Sequence, residues 1–310
     1  MAISKEVISK ILHEKNAVQR KIAQRLYGIF EKIGFHLTSD HFYDITPNVG
    51  EIRKSYNENR RFLDGHIDWS VFDNTLSKLV DSYIYEYLDK RGEFGYFEEN
   101  LYFNGIDALA YYCYLREFAP ARVIEIGQGY STRIALAALS QNVSQGGNPS
   151  ELISIDPYTR LDLDVDKASV NFTRLKVPLQ QSKKMILENL SDGDLLFVDS
   201  SHVFKFGSDV QVLFEEIYPF LQIGVDVQIH DIFTPYDYPR SWMVDKKIFW
   251  NEQYFLENFL AFSEIYKIRF PINYLVAKSA SLREILEQHS GVDKSSIRFG
   301  GGSFYITKIK

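Results

Sequence analysis

Two stretches of the chain bring carboxylates and imidazoles together in short order. The apolar run from Leu195 ends in Asp199, Ser200, Ser201 and His202, and the run ending at Ile229 is followed by His230 and Asp231. Two carboxylates with imidazole nitrogen make a donor set suited to a hard or borderline divalent ion, with Asp199, His230 and Asp231 as candidate ligands. An imidazole also titrates near neutrality, so His202 is a candidate general base, with Asp199 beside it as a second candidate catalytic group. A single histidine is usually an ordinary hydrogen-bonding residue. Four such groups at the ends of two strand-like runs point instead to a site.

A second centre lies upstream, in Val123-Ile-Glu-Ile-Gly-Gln-Gly-Tyr-Ser-Thr132. A β-branched run enters a turn with Gly127 and Gly129, and a helix follows, with Ser131 or Thr132 available as its cap. Position 132 is Thr, so the three-glycine dinucleotide fingerprint is not met. Glu125, two residues before the first glycine, suits a cationic ligand better than a pyrophosphate. The sulfonium and ammonium of S-adenosylmethionine fit that description. Asp156 follows Gly129 by 27 positions at the end of another apolar run and can accept the two ribose hydroxyls of a nucleoside. Candidate cofactor contacts are therefore Glu125, Gly127, Gly129, Ser131, Thr132 and Asp156.

These residues need an alternating framework to bring them together. From about residue 96 the pattern is strand and helix in turn, which predicts a mostly parallel sheet. Strands are expected over 122–126, 152–155, 172–177, 195–198, 225–229, 274–277 and 304–308. Helices are expected over 107–118, 131–140, 208–220 and 248–262, with Ser208 as an N-cap. Upstream, residues 3–33 show helical periodicity through Ile8, Ile11, Leu12, Ile22, Leu26, Ile29 and Phe30, and residues 68–89 show it again. The Lys90–Tyr96 stretch breaks the pattern. The expected organisation is an N-terminal helical segment, 1–95, serving as a lid or as substrate or oligomer contacts, and a cofactor-binding domain, 96–310.

Composition narrows the class. The 310 residues are 45% hydrophobic and 25% charged, with a formal net charge of -6, so no broad footprint for nucleic acid is expected. Cys113 is the one cysteine, which rules out an internal disulfide, and it lies in an apolar helical run that reads as buried. No run is long enough to span a membrane, and the first residues show no signal-peptide core, so a cytoplasmic protein is expected. The 23 Phe and 20 Tyr suit aromatic pocket walls, a subunit interface or an aromatic core. Phe42, Tyr43, Tyr236, Tyr238, Trp242 and Trp250 are candidates for a pocket wall.

Taken in order, Glu125–Thr132, Asp156-Pro157, Phe197–His202 with Gly207–Asp209, and His230–Pro239 resemble the class I S-adenosylmethionine-dependent methyltransferases of the methyltransferase-24 type. The resemblance covers about two thirds of the chain, residues 96–310. It implies a Rossmann-like, seven-stranded α/β sheet with an antiparallel last strand, and S-adenosylmethionine at Glu125, Gly127, Gln128, Gly129 and Asp156. It also implies kinship with macrolide-sugar O-methyltransferases, which hold a divalent ion such as Mg²⁺ at the ends of the fourth and fifth strands. Asp199 and Asp231 would then be ligands and His202 the base; His230 stands where those enzymes carry a carboxylate. The expected reaction is O-methylation of a sugar or secondary-metabolite acceptor, with no nucleic acid or membrane partner and a homo-oligomer allowed. N-methylation, other chemistry with the same cofactor, and a silent small-molecule-binding or assembly subunit are the alternatives.

Overall fold

The computed structural model describes residues 45–57, 60, 67–72, 75–159, 162–163, 165–288 and 301–310, with scattered positions between 18 and 36. The chain forms two compact units, Met1–Tyr56 with Pro239–Phe249 and Asn57–Tyr238 with Trp250–Lys310. In the smaller unit, a short helix α1 (Val49–Ser55) is capped by Asn48, whose side chain accepts from the Gly50 and Glu51 amides. Most of the periodic stretch over 3–33 lies outside the described residues, as do Phe42 and Tyr43; residues 21–22, 26–27 and 29–31 are helical.

The larger unit contains the sheet. Its helices and strands run in the order α2 (Thr75–Lys90), α3 (Gly105–Phe118), β1 (Arg122–Ile126), α4 (Tyr130–Ser144), β2 (Glu151–Ile155) and β3 (Asn171–Leu175). Next come α5 (Lys183–Asn189), β4 (Leu195–Val198), α6 (Asp209–Val212), β5 (Asp226–Ile229) and α7 (Glu252–Phe262). The unit closes with β6 (Tyr266–Pro271), α8 (Ile272–Lys278), α9 (Ala280–Gln288) and β7 (Phe304–Lys308). The seven strands lie in the order β3-β2-β1-β4-β5-β7-β6, parallel except that β7 runs against both neighbours. This is the mostly parallel sheet that the sequence pattern predicts, with the antiparallel last strand that the resemblance implies.

The central strands are apolar along their length because both faces are covered by helices. Every residue of β4 is buried, and so is nearly all of α3, including Cys113. Helix α3 stops at Ala119, which takes a left-handed conformation just before Pro120, a residue that cannot continue a helix. Many aromatics are core residues: Tyr111 packs on Phe197 and Tyr114 on Tyr305, with ring centroids 4.9 and 5.3 Å apart.

Two expectations are corrected by the structure. The strand expected over 274–277 is part of helix α8, and the edge strand is β6 just upstream. Tyr266, Ile268 and Phe270 alternate inward along β6, while the next apolar residues after Pro271 bury Ile272, Leu275 and Val276 at helical spacing. A four-residue apolar run carries no period long enough to separate the two. The helix expected over 208–220 does begin at the Ser208 cap, but it loosens into a π-helical turn over Leu213–Ile217 and ends in a 3₁₀ turn at Pro219.

Ile124 sits at the centre of β1 and is fully buried. Truncating it leaves a cavity that parallel strands on both sides cannot fill, so Ile124→Ala should cost about 2–5 kcal/mol, read from the urea midpoint at unchanged slope.

Candidate active site

The register of the three central strands builds the site. Ile126 pairs with Val198, and Val198 pairs with Ile229, so the residues that follow, Gly127, Asp199 and His230, emerge at one level. The backbone ladder continues one step past the strands: the Asp199 amide donates to the Ile126 carbonyl at 2.9 Å and the His230 amide to Val198 at 2.8 Å. This is the C-terminal edge of the sheet, where strand order reverses between β1 and β4 and where ligands of such sheets bind.

Gly127 is required at this edge by the neighbouring strand. Its φ is +88°, and a Cβ there would lie 2.4 Å from the Asp199 carbonyl oxygen. The glycine thus lets β1 and β4 turn past one another. Gly129 differs. Its backbone is extended, and an added Cβ would meet nothing closer than Ser131 Oγ at 3.8 Å, so its open side is available to a ligand.

Gly129 is itself the N-cap of α4. The hydroxyls of Ser131 and Thr132, expected as caps, donate to the two oxygens of Glu125 at 2.7 and 2.6 Å. Thr132 Oγ1 also accepts from the Gly129 amide at 3.1 Å. Glu125 is fully buried behind the turn, with these hydroxyls as its partners. Burial pushes its carboxyl up to about 7, with the Thr132 and Ser131 hydroxyls opposing. Asp156 stands at the end of β2, next to the turn: its carboxylate accepts from the Gln128 amide at 3.1 Å and from the Tyr158 amide at 2.6 Å. The Gln128 side-chain amide is enclosed and has no hydrogen-bond partner.

Across the edge, Asp199, His202, His230 and Asp231 do meet. Asp199 Oδ1, His230 Nδ1 and Asp231 Oδ2 lie within 4.8 Å of one another, with His230 Nδ1 at 3.5 and 3.6 Å from the two oxygens. Ligands at right angles on an ion are about 3.0 Å apart for bonds of about 2.1 Å and about 3.4 Å for bonds of about 2.4 Å. The two separations from His230 Nδ1 are a few tenths of an ångström longer than these. His230 Nδ1 is buried without a hydrogen bond, which is the condition a cation would relieve. The donor set fits a divalent ion.

His202 faces the same carboxylates from the other side. Its Nε2 is 3.2 Å from Asp199 Oδ1 and 3.7 Å from Asp231 Oδ2. Its Nδ1 is 3.0 Å from Glu252 Oε2, which also accepts from the Ser200 hydroxyl at 2.8 Å. Trp250 covers the imidazole, with ring centroids 4.2 Å apart. Both His202 and Asp231 have positive φ, 59° and 58°, a backbone that non-glycine residues adopt only when their surroundings impose it.

The electrostatics follow from this crowding. Burial disfavours the imidazolium of His202, but Asp199, Glu252 and Asp231 outweigh it and push its pKa up to about 10. His230 is likewise raised well above the usual histidine value: burial opposes the charge, and Asp231, Asp107 and Asp199 overcome it. Burial works against a charged Asp199, yet both imidazoles hold it well below the usual carboxylate range. The Asp231 carboxyl is raised, chiefly by burial, with the imidazoles opposing. Four carboxyl groups, counting Asp107 and Glu252, face two imidazoles, an excess of acidic groups that suits a cation.

Glu252 and Asp107 did not stand out in the sequence. Each lies in the first turn of its helix, where an acid ordinarily complements the helix dipole in water. The distinguishing signal is that both helices continue as apolar runs, so an acid there is buried. Of the expected pocket-wall aromatics, Tyr238 is a core residue whose hydroxyl accepts from the Gln253 amide at 3.1 Å, and Trp250 packs on His202 at the polar centre.

The two glycines give a direct check. Gly127→Ala should lose at least about 2 kcal/mol, since strain at a positive φ adds to the clash with Asp199. Gly129→Ala should stay within about 0.5 kcal/mol of wild type. Equal losses in urea unfolding would contradict the close approach of β1 to β4.

Residues 124–232, from β1 to the end of the polar cluster, match the methyltransferase-24 family, a methyltransferase domain. An uncharacterized protein of Archaeoglobus fulgidus is 23% identical over 208 residues, covering 63% of this chain and 87% of that protein. Among solved structures, an SAH-bound methyltransferase of Podospora anserina aligns at 12% identity and a TM-score of 0.37, over 66% of this chain and 78% of that one. The family match spans the glycine turn, Asp156 and both polar strand ends, on a sheet of the expected order. Over residues 124–232 the chain is thus similar to the methyltransferase domains of the methyltransferase-24 family.

Proposed function

We propose that the enzyme methylates a hydroxyl of a small sugar-like or secondary-metabolite acceptor, with a divalent cation such as Mg²⁺ held by Asp199, His230 and Asp231. The observation that carries this reading is the meeting of those three donors with His202 beside the glycine turn, one buried imidazole nitrogen among them being unpartnered. The cofactor would supply an electrophilic methyl group on a sulfonium, and a divalent cation would supply positive charge that lowers the pKa of a hydroxyl beside it.

The remaining work falls to the chain. The open side of Gly129 and the carboxylate of Asp156 receive the cofactor on the β1–β2 side of the edge. The polar cluster lies on the β4–β5 side, so the acceptor hydroxyl is brought in line with the methyl group by approach from there. His202 is the group that takes the acceptor proton, at Nε2, while Glu252 keeps its Nδ1 side hydrogen-bonded. In the cation-free protein this imidazole already holds a proton at neutral pH, because Asp199, Glu252 and Asp231 stabilise it. A cation on Asp199 and Asp231 would compete with that proton for the same carboxylates.

Two outcomes are expected. S-adenosylhomocysteine should bind the wild-type protein and fail to bind Gly129→Val while the variant stays folded, as judged by calorimetry and circular dichroism. With labelled S-adenosylmethionine and a panel of polyhydroxylated acceptors, label should appear as an ether; label on nitrogen, or cofactor binding without transfer to any acceptor, would overturn the hydroxyl assignment. The second outcome concerns pH. Because the His202 pKa lies near 10 without a cation, Mn²⁺ affinity should rise with pH through the range from about 7 toward 10, and binding at pH 8 should release protons. Calorimetry in two buffers of different ionisation enthalpy measures both; a pH-independent affinity would separate His202 from the cation site.

A further inference from the structure

The two ring nitrogens of His230 face different surroundings. Nε2 lies 3.7 Å from Asp107 Oδ2, and Nδ1 faces Asp199 and Asp231 without a hydrogen bond. An ionised carboxylate only accepts hydrogen bonds, so once Nδ1 serves as a ligand the one proton left on the ring sits on Nε2, on the side of Asp107. A neutral imidazole has one N–H, and its other nitrogen then presents a lone pair. In a ring that holds both protons the Nδ1–H faces the Asp199 and Asp231 oxygens; a cation between those oxygens would take the place of that proton and accept the Nδ1 lone pair.

We infer that Asp107 is the positioning residue of the cation site: it fixes His230 as the Nε2–H tautomer and so turns Nδ1 into a ligand. The inference rests on the reading of Asp199, His230 and Asp231 as a divalent site.

Asp107 is itself rigidly held. It is 6% exposed, in the first turn of α3, and its two oxygens accept from the Ser303 amide at 2.8 Å and the Gly302 amide at 3.0 Å. The same short stretch before β7 presses on the second ligand. A Cβ on Gly302 would lie 3.0 Å from Asp231 Cα, and the Gly302 carbonyl accepts from the Ile232 amide at 2.6 Å. Phe103 packs against the His230 ring, with centroids 5.1 Å apart, and limits its rotation. The chain segment leading into β7 thus sets His230 through Asp107 and Asp231 through Gly302. A carboxylate behind a metal-bound histidine is a recurrent arrangement, and its loss weakens metal affinity by about 10–100-fold.

The test uses Mn²⁺ calorimetry and nitrogen NMR on the full chain. Asp107→Asn keeps the size of the side chain and removes its charge; Mn²⁺ affinity should fall by about 10–100-fold, while S-adenosylhomocysteine binding at the glycine turn is unchanged. In Mg²⁺-loaded, ¹⁵N-histidine-labelled wild type, with His230→Gln giving the assignment, His230 should be protonated at Nε2 and not at Nδ1. Unchanged Mn²⁺ affinity in Asp107→Asn overturns the positioning role, provided Asp199→Asn shows the expected loss. An Nδ1–H signal in the wild type overturns it too, and that measurement decides the matter if the variant does not fold. If the wild type takes up no Mn²⁺, the cation reading fails and the role of Asp107 fails with it.

Discussion

Carboxylates and imidazoles are drawn out of water together at the ends of β4 and β5, and none of them would be tolerated there alone. Leaving a buried charge unpaired costs several kilocalories per mole, so each group at this edge is answered by another. Asp199 is met by both histidines, His202 is braced between Asp199 and Glu252, and His230 lies between Asp107 and the other two acids. Much of the surrounding architecture serves to hold this cluster at its working separations: the level ends of the strands, the buried start of α7, and the glycine-containing stretch before β7.

The parallel register supplies the precision. Because β1, β4 and β5 end at one level, a single step beyond the ladder places a glycine, an acid and a histidine side by side. Gly127 makes that step possible, since any side chain at its position would run into the Asp199 carbonyl. The glycine turn and the polar cluster are therefore joined through backbone contact. A change at one glycine is transmitted directly to an acid of the neighbouring centre.

The aromatic richness of the chain divides between these functions. Tyr111, Tyr114, Phe197 and Tyr305 fill the space between α3 and the sheet, where large rings cover much apolar area with little loss of side-chain freedom. Phe103 and Trp250 have moved to the polar edge instead, each against a histidine. Their rings exclude water from the imidazoles and strengthen the electrostatic coupling within the cluster.

Local sequence alone determined the parts of this protein that depend on short-range pattern. The central strands read as uninterrupted apolar runs because both faces are buried, the glycine turn shows in Gly127 and Gly129, and the acids and histidines of the site announce themselves at strand ends. The limits were equally physical. Residues 274–277 resemble a strand because four apolar residues have no resolvable period, and their helical state follows only from how Leu275 and Val276 are packed. Glu252 and Asp107 resemble helix-dipole partners until the fold buries them behind His202 and His230. That the Glu125 carboxylate takes the Ser131 and Thr132 hydroxyls follows only from where α4 begins. Which groups are chemical was thus written in residue type and local spacing; which group faces which, and how far burial and neighbouring charge move its proton affinity, was decided by contacts between residues far apart in the chain.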